Sequence, residues 1–323
     1  MPLGAARASA SGKGWALVAP RLTQLGAALA WAGRTRVTSL EVIVDDHPPP
    51  SVGKDSPEQR AEVAAAMARR AGYFRLPINV WRLDGRKLHA QQPGALEPVV
   101  DRAQLFAERP DLEATADLLR VHGIDPRIEG DFLVGEVLGL EVARAPLAPP
   151  SEMRVGTGSH DREARMEMRP GEEPGAALDE VVEVIHRYRR PGAPRHPANT
   201  LAREKWLRSV VLALPALAGA RILEPVAALD PPSDLRTPTV AAASGTGADG
   251  RGLVVACSVG VNLDLVATGA DQRAHVGARL ALIVPEGDDY GVTRQLAALL
   301  KDPADVITVP RDWPRLLEQA TSS

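Results

Sequence analysis

Leu40-Glu-Val-Ile-Val44 runs into Asp45-Asp46, and near the other end of the chain Leu280-Ala-Leu-Ile-Val284 runs into Pro285-Glu286-Gly287-Asp288-Asp289. Each is a short apolar run rich in β-branched residues and closed by acids, the pattern of a strand buried on both faces of a parallel sheet. Their surroundings match as well. Before the first lie a short strand at Trp15–Val18 and an Ala/Leu helix at Leu22–Trp31. After it come a helix over Pro57–Gly72, with proline in its first turn and glycine past its end, and a strand at Ile78–Leu83. Around the second, the pattern predicts strands at Leu253–Val259, Arg279–Val284 and Val306–Val309, and helices at Leu263–His275 and Val292–Leu300. Both ends therefore read βαβαβ, an internal repetition.

The expected fold is α/β, with Rossmann-like βαβαβ units at 1–95 and 253–323, a central α+β segment at 96–224 and a linker at 225–252. The linker reading rests on Asp-Pro-Pro-Ser, Thr-Pro-Thr and an Ala/Ser/Gly run. In the central segment a helix over Pro110–His122, stopped by Gly123, precedes extended runs at Arg127–Val134, Val137–Ala143 and Met153–Val155. Helices over Ala176–Arg189 and Asn199–Leu214 follow, joined by a Pro/Gly-rich loop. This element order resembles the restriction-endonuclease-like core. The resemblance implies a Mg²⁺ ion held by an aspartate and a glutamate on neighbouring strands, here Asp131 and Glu141, as metal ligands and catalytic residues. The family's lysine two residues beyond the glutamate is replaced by Ala143, and the next residue, Arg144, points to the opposite strand face. The competing expectation puts Asp131 in a hairpin turn after Gly130 and Glu141 on an exposed strand face.

Composition narrows the setting. Hydrophobic residues make up 45 % of the 323 but aromatics only 3 %, so Ala, Val and Leu must fill the core. The Ala- and Arg-rich usage resembles that of GC-rich bacterial genomes. A single cysteine, Cys257, excludes an internal disulfide and a multi-cysteine metal site, and fits a reducing, cytoplasmic setting. No apolar run approaches the roughly 18 residues of a membrane span, so no membrane partner is expected.

Net charge is −3, unevenly spread. From His186 to Arg208, seven cations (Arg187, Arg189, Arg190, Arg195, Arg203, Lys205 and Arg208) face one acid, Glu204, so the stretch carries +6 and the remainder −9. Such a segment, opening into a helix near Asn199, is the electrostatic footprint of a phosphate-backbone contact, and all seven are expected to bind nucleic acid. The competing expectation is neutralisation by nearby acids, Glu183 with Arg187 among them.

Three further motifs read more plainly. Val155-Gly-Thr-Gly-Ser159 is expected to be a capped turn before a helix, since it lacks both the dinucleotide fingerprint and the P-loop lysine. Ala256-Cys-Ser-Val-Gly260 is close to a nucleophile elbow, but His275 is the sole later histidine and no triad can form in the usual order. Asp45, Asp46, Glu286, Asp288 and Asp289 close strands where α/β folds place ligands, and read as helix caps or metal ligands. The histidines show no zinc spacing. The functional expectation is a nucleic-acid-handling protein, Mg²⁺-dependent and nuclease-like or a degenerate relative of one. The alternative is a non-catalytic binding or assembly module for a small anionic ligand or protein partner, with a homo-oligomer as one form. Whether the chain is an enzyme stays open at this point.

Overall fold

The computed structural model describes residues 4–45, 56–96, 102–169, 171, 173–229, 237 and 239–321. The chain is mixed α/β with open sheets, and it divides into two compact units. Unit 1 comprises residues 1–97, 251–256 and 260–308; unit 2 comprises 98–250, 257–259 and 309–323. Unit 1 is therefore discontinuous, with the central segment inserted between its halves.

The first half of unit 1 opens with β1 (Ala5–Ala8), β2 (Lys13–Val18), α1 (Thr23–Thr35), β3 (Ser39–Asp45), α2 (Pro57–Ala71), β4 (Ile78–Asp84) and β5 (Lys87–Ala90). The strands form one sheet in sequence order. β2, β3 and β4 are parallel, and β1 and β5 pair antiparallel at the edges. In β2 burial alternates strictly, so Gly14, Ala16 and Val18 face inward. On β3 the inward set is Leu40, Val42 and Val44, all fully buried. Ser56 begins α2 with a capping box, accepting from the Gln59 amide at 3.2 Å and donating its own amide to Gln59 Oε1 at 2.8 Å.

Unit 2 begins with α3 (Arg102–Glu108) and α4 (Pro110–Val121), followed by β6 (Asp125–Glu129), β7 (Phe132–Val137), β8 (Leu140–Pro146) and β9 (Arg154–Val155), an antiparallel sheet in that order. The run read as one strand at Arg127–Val134 is in fact split by the turn Gly130-Asp131. Next come α5 (Gly158–Met168), α6 (Pro174–Tyr188), the short α7 (Pro197–Thr200) and α8 (Arg203–Ala213). α6 buries Leu178, Val181 and Ile185, one stripe at helical spacing, against Leu140, Val142 and Val155 of the sheet. Leu112, Ala116, Ile128 and Leu133 form a smaller core under α4.

β10 (Ala220–Val226) and β11 (Ala241–Gly247) pair antiparallel. Part of the stretch expected to be a linker is thus a strand. Ala241, Ala242 and Ala243 are buried, and at Gly245 a Cβ would lie 2.1 Å from the Ile222 carbonyl oxygen. Small residues that look like a flexible linker are here the requirement of close strand packing. Residues 230–236 and 238 of that stretch lie outside the described residues.

The second half of unit 1 contains β12 (Gly252–Cys257, its last residue assigned to unit 2), α9 (Leu265–Val276), β13 (Arg279–Pro285), α10 (Gly291–Leu299) and β14 (Asp305–Val309), and α11 (Leu316–Thr321) ends the chain in unit 2. β12, β13 and β14 are neighbours in that order, and they do not join the β1–β5 sheet. Instead the halves meet through helices: α1 with α9 and α10, and α2 with α9. The exchange is reciprocal, because α1 and α9 hold equivalent places in the two halves, as do α2 and α10. Phe74, just before β4, forms an antiparallel bridge with Leu300, just before β14, with Arg75 N–H to the Leu299 carbonyl and Lys301 N–H to the Tyr73 carbonyl, both 2.8 Å.

Candidate functional site

The acids expected to share a metal do not come together. Asp131 is exposed in the β6–β7 turn, and its carbonyl accepts from the Leu147 amide at 2.8 Å. Glu141 lies toward the other end of the β7–β8 ladder, opposite Glu136, while Phe132 faces Pro146. Five strand residues separate the two positions, about 17 Å at strand rise. Glu141 is buried, and both its oxygens are engaged: Arg144 binds them through Nε and Nη2 at 2.8 Å, and Arg162 Nη1 reaches Oε1 at 2.8 Å. Among the described residues no group of three or more His, Cys, Asp or Glu side chains is placed to hold a metal ion. Asp46 lies outside the described residues.

The seven cations separate into two sets. Arg189, Lys205 and Arg208 are interior. Arg189 donates to the Ala198 carbonyl at 2.8 Å, to the Leu138 carbonyl at 2.5 Å, and to the carbonyls of Leu201 and Ala202. Burial pulls its pKa below the ordinary guanidinium range. Two of its acceptors, Leu138 at φ 48° and Ala202 at φ 45°, hold left-handed backbone that side chains disfavour. Arg189 thus pins a strained hairpin turn, Leu138-Gly139, against the start of α8.

Lys205 Nζ donates to both oxygens of Glu129 at 2.7 and 2.8 Å and to Glu136 Oε1 at 2.9 Å, and Arg208 Nη2 donates to Glu136 Oε2 at 2.6 Å. Burial pushes Glu136 up, but Arg208 and Lys205 outweigh it and hold the carboxyl at about 2. Burial likewise opposes the Lys205 charge, and the two glutamates raise its pKa nonetheless. These three cations serve the interior of unit 2. The exposed set is Arg187, paired with Glu183, together with Arg190, Arg195 and Arg203. Arg203 lies over the Trp313 ring at 5.9 Å. The Gly-rich turn at 155–159 is closed by Asp161, whose Oδ2 accepts from the Thr157 amide at 2.7 Å.

Unit 1 holds a different arrangement at the carboxyl ends of its strands. Gly26 of α1 packs so closely on the segment entering α9 that an added Cβ would lie 2.2 Å from the Leu263 carbonyl oxygen and 2.9 Å from the Asp264 amide. The starts of the two helices are therefore side by side. Neither α1 nor α9 has a side-chain cap or an acid in its first turn, in contrast to the capped α2 with Glu58. α10, which contacts both, also begins without a cap or acid. Several of their first amides turn back to carbonyls just ahead of the helix, Gln24 to Arg21 at 2.9 Å, Leu25 to Leu22 at 3.1 Å and Thr293 to Tyr290 at 3.0 Å, so what these starts present is chiefly the positive end of the helix dipole.

The loops at these starts are held in shape. Gly260, at φ 79°, donates its amide to Asp288 Oδ2 at 2.7 Å, and Asn262 Oδ1 accepts from the Asp264 amide at 3.0 Å. Asp289 is taken by Arg294 through two 2.8 Å bonds, which lower its pKa. Val261 is 65 % exposed and Tyr290 36 %, so these loops present apolar surface as well.

Behind them α9 is buried from Leu265 to Gln272, including Asp271 at 0 % exposure. Asp271 accepts from Arg69 Nε and Nη2 at 2.8 Å, Arg70 Nε at 3.0 Å and Tyr73 Oη at 3.0 Å. Arg70 also reaches Asp264 at 3.2 Å, and Thr268 donates to Asp264 at 2.9 Å. Burial opposes the Asp271 charge, but the two arginines lower its pKa; the same site pushes Tyr73 up to about 12. This network locks α2 to α9. Sequence reasoning missed it, although one acid inside an otherwise Ala-rich helix was the available signal. Cys257 is fully buried and burial raises its thiol to about 12, which suits packing rather than nucleophilic chemistry. No helix among the described residues is long and apolar enough to cross a membrane.

No protein-family model matches the chain, nor does any curated protein or solved structure.

Proposed function

We infer that the chain is a non-catalytic binding module, and that the two Rossmann-like βαβαβ halves of unit 1 hold a small anionic ligand where α1 and α9 begin. The observation that carries this reading is the close approach at Gly26, which sets two uncapped helix starts side by side. The positive ends of two helix dipoles there favour a phosphate or carboxylate. Open α/β sheets bind ligands outside the carboxyl ends of their strands, which is where these helices start. Asp264, the nearest acid, is engaged by Arg70 and Thr268, which offsets its repulsion of an anion. Val261 and Tyr290 supply apolar contact for the uncharged part of the ligand.

Isothermal titration of the full chain with inorganic phosphate and a panel of nucleoside phosphates tests the reading. Expected is saturable binding by at least one anion, weakened about tenfold by Asn262→Asp, which places a carboxylate at the α9 start. Absence of binding at millimolar anion overturns it.

A second reading keeps the nucleic-acid expectation on the exposed Arg187, Arg190, Arg195 and Arg203. Its measure is fluorescence anisotropy of labelled DNA at several salt concentrations. Steeply salt-dependent binding that is lost on reversing those arginines, but kept by Asn262→Asp, favours it over the anion site. Cleavage of DNA or RNA in Mg²⁺ that depends on both Asp131 and Glu141 would restore the nuclease reading.

A further inference from the structure

The face of the β6–β9 sheet turned away from α4 and α6 is charged rather than apolar. Directly paired residues project from the same side, so the register names its members. They are Asp125, Arg127 and Glu129 on β6, Phe132, Val134 and Glu136 on β7, Glu141 and Arg144 on β8, and Arg154 on β9. α8 sends Lys205 and Arg208, one turn apart, onto this face, and α5 sends Arg162. Six cations thus share it with four acids, and the acids are taken. Each oxygen of Glu129 and Glu136 accepts from Lys205 or Arg208, and each oxygen of Glu141 from Arg144. The fourth, Asp125, is 69 % exposed at the sheet edge. Arg127 lies inside this group without a share in it. Its Nε is buried with no acceptor among the described residues, and its ion pair is a 3.4 Å contact from Nη2 to Asp125 Oδ2. Arg208, 3 % exposed, likewise has no acceptor for its Nε. Arg102, exposed at the start of α3, donates at 3.4 Å to the Pro126 carbonyl, next to Arg127. Buried polar groups are satisfied as a rule, and a buried charge is costly without a partner.

We propose that Arg102, Arg127 and Arg208 form a site for a small oxyanion, a phosphate or a carboxylate, at the β6 edge of unit 2. β6 is an edge strand of its sheet, so the site opens to solvent beside Asp125 and Arg102. Arg127 gives the ligand its unused donors, Arg208 Nε closes the inner side and Arg102 the rim; charge-assisted bonds of this kind are the strong ones. Burial pulls the Arg127 pKa below the ordinary guanidinium range; Asp125 and Glu136 oppose that shift, and Arg208 and Arg102 reinforce it. An oxyanion among the three arginines turns their mutual repulsion into shared attraction. The depth of Arg208 limits the ligand to a terminal group of few atoms, which separates this site from the exposed arginines of the nucleic-acid reading. It is built from unit 2 alone, and so stands independently of the α1 and α9 starts in unit 1.

Thermal unfolding of the full chain reads the site out, in inorganic phosphate and in acetate, each against chloride at equal ionic strength. Expected is a midpoint raised by about 2–5 °C in about 50 mM of at least one oxyanion, the increment of a millimolar site. Arg127→Met keeps an apolar stem and breaks no hydrogen bond, so it should match the wild type in chloride and lose the increment. Arg102→Gln, at the exposed rim, should keep the fold and roughly halve the increment. Asn262→Asp, which weakens the unit 1 site, should retain the part that Arg127→Met removes, so the two readings fail separately. A midpoint no higher in either oxyanion than in chloride overturns the proposal, as does an increment that survives both Arg127→Met and Arg102→Gln.

Discussion

Gly139 shows how narrowly single residues are specified in unit 2. It has φ 75°, and a Cβ there would lie 2.3 Å from both the carbonyl carbon and oxygen of Lys205. Gly139→Ala should destabilise by about 3 kcal/mol or more, combining left-handed strain with displacement of α8, and a urea midpoint would show it. Arg189→Met should cost several kcal/mol, because up to four buried carbonyls lose their donor at once, each worth about 1–3 kcal/mol. Arg189→Lys should not rescue it, since an ammonium cannot span that fork. Glu141→Ala should cost about 3–5 kcal/mol by stranding Arg144 and Arg162, whereas Asp131→Ala, at an exposed turn, should stay within about 0.5 kcal/mol. The turn at Asp131 was an open alternative in the sequence, but the burial of Glu141 was not, because its strand face was expected to be exposed. Strand spacing alone gave no register, and the Gly130-Asp131 turn inside an extended run moved every later residue along the ladder.

Elements were legible where periodicity and punctuation agreed. α2 lies at Pro57–Ala71, where proline at its start and Gly72 past its end placed it, and β3 and β13 match the apolar runs that announced them. The edge strands β1 and β5 were not legible, since all four residues of each are exposed and leave no apolar pattern. β11 was hidden because its Ala/Ser/Gly run carries linker composition for a packing reason. α9 was found, but not its role. Its buried Asp271 joins α9 to α2, so Asp271→Asn should lower the melting temperature of unit 1 by several degrees. Asp271→Leu should cost more than its apolarity suggests, because Arg69, Arg70 and Tyr73 would all lose a shared acceptor.

For the whole molecule, acid is the revealing stress. Glu136 and Asp271 have folded pKa values depressed below their ordinary values, so the stability they supply is full above the unfolded-state pKa. For Glu136 it is lost as pH falls from 4.5 through about 2. Lys205 has the opposite sign: raised above 10.5, it supplies stability that fades as pH climbs beyond that value. Urea midpoints should therefore be flat near neutrality and drop on both sides, with Glu136→Gln flattening the acid limb.

The interruption of unit 1 also has a consequence for how the protein is made. A ribosome releases β1 to α2 early, but α9, which closes their helical face, emerges only after the whole of residues 98–250. At about 10 residues per second that delay is on the order of 15 s, far longer than a small domain needs to collapse. Leu25, Leu29 and Met67 wait through it without the second half of unit 1, a natural client surface for chaperones on the nascent chain. Codon choice or insertions within 98–250 would lengthen or shorten that wait, changing the yield of folded protein while leaving the finished structure as it is.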